Sequence, residues 1–256
     1  MPRFARAVVP HCPHHITQRG NNRQDVFFVA DDYELYLEIL KEQSERYGLD
    51  VHAYCLMTNH VHLVATPHAA DSLAKAVGRT HWLYAQTINR LHGRSGHLWQ
   101  GRFYSCALDR RHFRAAVKYV ERNPVRARMH RKAWLYPWSS AAAHCGKPGL
   151  APAERPVRRS RRGEGGRGDV PVPFSGTDAT GLLDLRWWAR RWTNEQWREE
   201  LSRRDDPEAV RALPSVTSRG RPLGSDSFLS KAERLVGRRL RPLPGGRPRE
   251  KRRETR

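Results

Sequence analysis

Apolar and polar positions change period several times along the chain, and the changes mark out its elements. His15-Ile16-Thr17-Gln18-Arg19 alternates at a period of two and stops at the turn residues Gly20-Asn21-Asn22, which predicts a short strand. Tyr33, Tyr36, Leu37, Leu40 and Tyr47 then recur at helical spacing, with Asp31 and Asp32 offering capping oxygens at the start and Gly48 ending the run. From Leu49 to Cys55 the pattern is β-like, Thr58-Asn59 makes a tight turn, and His60 to Thr66 runs back as the second arm of a hairpin. A second long helix follows, capped by Asp71-Ser72, with Leu73, Val77, Tyr84, Ile88 and Leu91 on its apolar face and His92-Gly93 closing it. Trp99 to Ser105 is predicted as a fourth strand, and Asp109 caps a third helix through Phe113, Ala116, Val117 and Val120 that Pro124 ends. The order β-α-β-β-α-β followed by a helix implies an α+β fold. It is the ferredoxin-like split βαβ arrangement, a four-stranded antiparallel sheet with two helices on one face.

The same periodicities decide which polar groups share a face. Side chains alternate along a strand, so His60 and His62 leave it on one side while Val61 and Leu63 point to the other. Two imidazoles so placed are either a pair of metal ligands or two half-buried histidines of a sheet. On the third helix Tyr119 and Asn123 are four residues apart and so lie one above the other. If that helix crosses the open side of the sheet, Asn123 completes a three-ligand set with His60 and His62, and Tyr119 reaches the same place. If it does not, Tyr119 is a packing aromatic and Asn123 a cap before Pro124. His112 lies two turns from Tyr119, which suits a surface histidine better than a proton acceptor.

Charge narrows the partners. Of 256 residues, 47 are Lys or Arg and 26 are Asp or Glu, a formal net of +21. The surplus falls on both parts of the chain, +10 over residues 1–150 and +11 over the remainder. A polyanion is the economical partner, since counterion release from phosphates supplies affinity. Cys12, Cys55, Cys106 and Cys145 form no CxxC pair and no disulfide framework. No apolar run is long enough to span a bilayer, and the first residues lack a signal-peptide core, so a soluble cytoplasmic protein is expected. Residues 1–145 form the first domain. Residues 146–180, rich in Pro, Gly and Arg around Arg158-Arg159-Ser160-Arg161-Arg162, have the composition of a basic linker. Helical patterning returns from Leu182 through Trp187, Trp188, Trp192 and Trp197, then over Asp206 to Leu213 and Ser225 to Val236, making residues 181–240 a small helical C-terminal region. The remaining 241–256 form a basic tail expected to be disordered.

Four segments carry a resemblance. Thr58-Asn59-His60-Val61-His62-Leu63, Leu98 to Ser105 (LWQGRFYS), Tyr119 to Ala127 (YVERNPVRA) and Tyr136-Pro137-Trp138-Ser139-Ser140 resemble the REP-associated tyrosine transposases, within the wider HUH (His-hydrophobic-His) single-tyrosine transposases, in both order and spacing. The resemblance implies a domain over residues 1–145 that cuts and rejoins single-stranded DNA bearing hairpins, with a divalent metal and a covalent protein–DNA intermediate. Carried over residue by residue, it makes His60 and His62 the metal-binding histidines, Tyr119 the nucleophile and Asn123 the polar third ligand. Mg²⁺ or Mn²⁺ is the implied ion; imidazole suits manganese better and oxygen suits magnesium. Arg102 and Arg126 are candidates for phosphate contacts, and Arg219 and Arg221 in the Arg-Gly-Arg-Pro string are candidates for DNA contact, each alternatively an ordinary surface arginine or loop residue.

Two other function classes share parts of this pattern. A catalytically silent single-stranded nucleic-acid-binding module needs only charge and aromatics. A metal-dependent phosphoesterase of the histidine-triad kind wants a third alternating histidine, where Val64 stands. A bacterial, nucleoid-associated monomer is expected, with a homodimer as the alternative because related enzymes exchange the tyrosine helix between subunits.

Overall fold

The alternation from His60 onward forms the strand it predicts, at the centre of the sheet. The computed structural model describes residues 6–146 and 181–242. Its strands are β1 (His14–Arg19), β2 (Leu49–Met57), β3 (His60–Pro67) and β4 (Tyr104–Ala107). They hydrogen-bond in the order β2-β3-β1-β4, every pairing antiparallel. Registers Thr17↔His62 and Ile16↔Leu63 put His15, Thr17, His60 and His62 on one face of the sheet, and Ile16, Val61 and Leu63, all fully buried, on the other.

Helices α1 (Ala30–Tyr47) and α2 (Ser72–Leu91) pack on each other and bury that second face, with the Tyr36 hydroxyl 3.0 Å from His81 Nε2 between them. Gly48 ends α1 in the left-handed conformation, where a side chain would be strained. The predicted cap oxygens act differently from expectation. Asp32, at the third helical position of α1, reaches back to the amides of Phe28 (2.7 Å) and Val29 (3.1 Å). Ahead of α2, Ser72 Oγ accepts from the Ala69 amide, and Asp71 pairs with Lys75 instead of capping. Asp109 caps as predicted, accepting from the His112 amide at 2.9 Å.

Two predicted elements change. The fourth strand is four residues long, because β1 offers β4 partners only from His14 to Thr17. The stretch before it makes tertiary contacts: the Trp99 indole donates to the His81 carbonyl and the Gln100 amide to the Arg19 carbonyl. Arg102 therefore precedes β4 rather than lying on it. Helix α3 (Arg110–Glu121) stops before Asn123, which opens a separate turn, α4 (Asn123–Arg126). Pro124 has no N–H to give Val120, so the ladder loses a rung there and the chain breaks into a separate turn.

Beyond α5 (Ala141–His144), the described C-terminal residues join the main core. Leu183 bridges Val51, followed by α6 (Arg186–Ala189), α7 (Asn194–Ser202), α8 (Pro207–Ser218) and α9 (Asp226–Val236). The tryptophan-rich run is thus two helices, divided where the Thr193 hydroxyl caps α7. The helix expected to end at Leu213 continues to Ser218, through Pro214. Trp197 is fully buried, and its indole donates to Glu121 Oε2 at 2.7 Å. Glu121 also accepts from Ser140 Oγ (2.6 Å) and His144 Nδ1. One buried carboxylate therefore ties the end of α3 to α5 and α7. A smaller cluster joins Ala7, Val9 and Ala107 to Ala232 and Leu240, closing α9 on the N-terminal segment. Nearly all of the residues expected to form a linker and a tail lie outside those described.

Candidate active site

Helix α3 crosses the histidine face of the sheet. The Tyr119 ring stands edge-on to both His62 and His15, with centroids 5.8 Å from each. His60 and His62 are 5.0 Å apart by ring centroid. These residues and Asn123 line one cavity of about 980 Å³. All four side chains singled out on the sequence thus come together within a single chain, although Asn123 arrives from the turn after α3 rather than along its face.

Burial governs the electrostatics. It is the main cause, with the Arg19 charge second, that pulls His60 down to about 4; burial likewise brings His15 to about 3 and holds His62 well below the ordinary histidine value. The imidazoles are neutral at neutral pH, the state a metal ligand requires. Tyr119 is shifted the other way, upward by burial, with Arg126 and Arg19 opposing the shift. Its phenol keeps its proton until something removes it.

Hydrogen-bond partners test whether a cation suits this donor set. His60 Nδ1 lies 2.6 Å from Asn59 Oδ1, and the Asn59 amide is oriented by donating through Nδ2 to the Arg23 carbonyl. His60 must then carry its hydrogen on Nδ1, which leaves Nε2 as a bare lone pair. The Asn123 side-chain nitrogen is buried without a hydrogen-bond partner; it is a donor, so the side-chain oxygen is the one atom of this amide that could hold a cation. Among the described residues no three His, Cys, Asp or Glu side chains gather as a metal site. Two imidazoles and an amide form a sparser set, and they fit a divalent ion that retains water or phosphate oxygens.

Nine arginines line the cavity, including Arg19, Arg102, Arg219 and Arg221, and no Asp or Glu is among the described lining residues. Arg126 is placed differently. Its guanidinium lies 4.0 Å from the Tyr119 ring centroid, donates to the Tyr119 carbonyl, and pairs with Asp205 at 3.4 Å. It braces the tyrosine instead of lining the cavity. His112 pairs with Asp109 at 2.7 Å, as a partly exposed histidine. Sequence reasoning gave no part to His15, Arg19 or Thr217. The parity of β1 held a signal for the first two, but only the β1–β3 register turns parity into contact. No local pattern marks Thr217, which lies 202 residues from its partner His15.

Residues 8–123 match the family model described as Transposase IS200 like. Among solved structures, a REP-associated tyrosine transposase bound to a REP hairpin is similar at 17% identity and a TM-score of 0.50, over 66% of this chain and 100% of that one. A candidate transposase from Deinococcus radiodurans R1 aligns at 18% identity over 51% of this chain and 94% of its own; its TM-score of 0.33 is too low to support a conclusion. No curated protein matches. The matched residues 8–123 hold His60, His62, Tyr119 and Asn123, so the likeness to IS200-like transposases covers the part of the chain that forms the site.

Proposed function

We propose that the protein cuts and rejoins single-stranded DNA next to hairpins, with Tyr119 as nucleophile and His60, His62 and Asn123 as holders of a divalent metal, Mg²⁺ or Mn²⁺. The observation that carries this reading is the contact of the Tyr119 ring with His62 in an arginine-lined cavity of one chain. We take the sheet, from its order β2-β3-β1-β4, as a ferredoxin-like split βαβ sheet. Residues 1–145 would be the catalytic domain and 181–240 a helical region docked on it.

Tyr119 Oη attacks the phosphorus, the bond to the 3′ oxygen breaks, and the 5′ phosphate is left on the tyrosine. The phenol proton departs and the released 3′ oxygen takes one up, so a 3′-hydroxyl can later attack the phosphotyrosine and reseal the strand. When bound, the ion supplies positive charge to the phosphate and to the leaving oxygen. Arg126, stacked on the ring, orients Tyr119 and favours its ionised form. Arg102, Arg219 and Arg221 hold backbone phosphates. Because tyrosine and histidines meet within one chain, a monomer suffices and no exchange of α3 is required. Among the described residues no helix is long and apolar enough to cross a membrane, and we place the protein in the bacterial cytoplasm, on the nucleoid.

The test is a labelled single-stranded hairpin from the neighbouring genomic DNA, incubated with the protein and Mn²⁺ and run on a denaturing gel. An adduct that survives denaturation and is absent from Tyr119→Phe is expected. Binding without an adduct would leave a silent nucleic-acid-binding module, and cleavage that persists in Tyr119→Phe would indicate a hydrolase; either outcome overturns the proposal.

A further inference from the structure

His62 is the second partner in a buried chain of hydrogen bonds that starts in the C-terminal region. Its Nδ1 lies 3.0 Å from His15 Nε2, and His15 Nδ1 lies 2.8 Å from Thr217 Oγ1 on α8. Thr217 and His15 are fully buried. The threonine hydroxyl has one hydrogen and, besides His15 Nδ1 itself, two candidate acceptors: the Leu213 carbonyl at 2.7 Å and Cys106 Sγ at 3.5 Å. The carbonyl is a stronger acceptor than the thiol, and giving it the hydrogen lets His15 donate to the same hydroxyl, so both short contacts are bonded. Thr217 Oγ1 must then accept from His15 Nδ1–H. His15 Nε2, left bare, accepts from His62 Nδ1–H, and His62 Nε2 keeps its lone pair.

The opposite arrangement is poorer. If His62 carried its hydrogen on Nε2, His15 would donate to it, and Thr217 would have to release Leu213 to supply His15. One hydrogen bond would be lost from the chain, and an N–H would replace the lone pair needed for a cation. We infer that Thr217 and His15 are positioning residues that fix the tautomer and ring orientation of His62, so that α8 is a working part of the metal site. This inference rests on His62 being a metal ligand. Asn59 does for His60 what the His15–Thr217 pair does for His62. The two ligands are thus set by separate devices, one in the hairpin turn and the other in a helix more than 150 residues further along the chain.

The test uses the full chain without DNA. Long-range ¹⁵N–¹H NMR of the metal-free wild type reports which nitrogen of His62 carries the hydrogen, and titration calorimetry with Mn²⁺ reports affinity. Expected are the Nδ1–H form in wild type, a loss of about 10-fold or more in Mn²⁺ affinity in Thr217→Val, and recovery in Thr217→Ser. A His62 protonated on Nε2 overturns the inference with no variant needed. So does a folded Thr217→Val with wild-type affinity, provided that His62→Ala abolishes binding. If wild type binds no Mn²⁺, or His62→Ala binds as well as wild type, the metal reading itself fails and the inference fails with it.

Discussion

Glu121 joins helix α3, which carries Tyr119, to the C-terminal region, and its removal has a calculable consequence. Its carboxylate is fully buried and accepts from Ser140, His144 and Trp197, all three themselves buried. Glu121→Ala strands two donors, on His144 and Trp197, each costing about 1–3 kcal/mol, while Ser140 can turn to the Tyr54 carbonyl at 3.3 Å. Simple addition would give roughly 2–6 kcal/mol, but water entering the space left by the side chain and local relaxation reduce the sum, so a loss of about 2–4 kcal/mol is expected. Against a typical domain stability of about 5–15 kcal/mol, that is a large fraction. Glu121→Gln keeps the shape and one good acceptor but aims an NH₂ at a donor, which places it between Ala and wild type. Trp197→Phe removes a single donor and retains most of the ring, for about 1.5–3 kcal/mol. Urea unfolding followed by circular dichroism gives the ranking, with the m-value checking that the unfolded state is unchanged. A loss below about 1 kcal/mol in Glu121→Ala would refute the account, because two buried donors cannot go unpaired so cheaply. Glu121 lies between Tyr119 and Asn123, so folded Glu121→Gln should also form less of the tyrosine adduct than its stability alone would dictate.

Further outcomes follow from charge. Burial holds His14 at about 4 and His81 at about 3, below the ordinary histidine value, so between roughly pH 6.5 and 4 these rings protonate in the unfolded chain while staying neutral in the fold. The unfolded state then binds more protons, and stability must fall as pH falls through that window. Going from pH 7 to pH 5 should remove on the order of 2 kcal/mol for each of the two; equal unfolding midpoints at the two pH values would contradict the assignment. Arg219→Ala with Arg221→Ala should weaken single-stranded DNA binding and lower the salt slope by about 1.4, at about 0.7 per phosphate contact. An unchanged slope in fluorescence anisotropy would remove both from the DNA path.

Signals that depend on near neighbours were legible in the order of amino acids. The hairpin turn at Thr58-Asn59, the stop at Gly48 and the cap at Asp109 each involve residues a few positions apart, and each acts in the fold as expected. The Trp99 to Ser105 stretch misled because aromatic density is a packing signal as much as a strand signal. Trp99 packs on His81 and donates to its carbonyl, and pairing begins only where β1 has residues left to offer. The proximity of Tyr119 to His62 followed from no spacing, since a helix face says nothing about which sheet face it will meet. His15 was hidden for a related reason. An alternating strand shows which side chains share its own face, but the residue that meets them from the next strand is set by register.

That distinction bears on what residues 181–240 are for. A basic helical region appended to a DNA-processing domain could serve as an affinity handle, in which case its contacts would lie on the surface. Its interior contacts are of another kind: Trp197 bonds the carboxylate that ends α3, Asp205 pairs with both Arg122 and Arg126 beside Tyr119, and Thr217 meets His15. Each reaches a group next to Tyr119 or His62 and none is needed merely to hold DNA. Helix α3, which carries Tyr119, is therefore supported on one side by the sheet and on the other by α7, α8 and the loop between them. Removal of residues 181–240 would take these supports from Tyr119 and His62 together with the basic charge, whereas Arg219→Ala with Arg221→Ala would take charge alone.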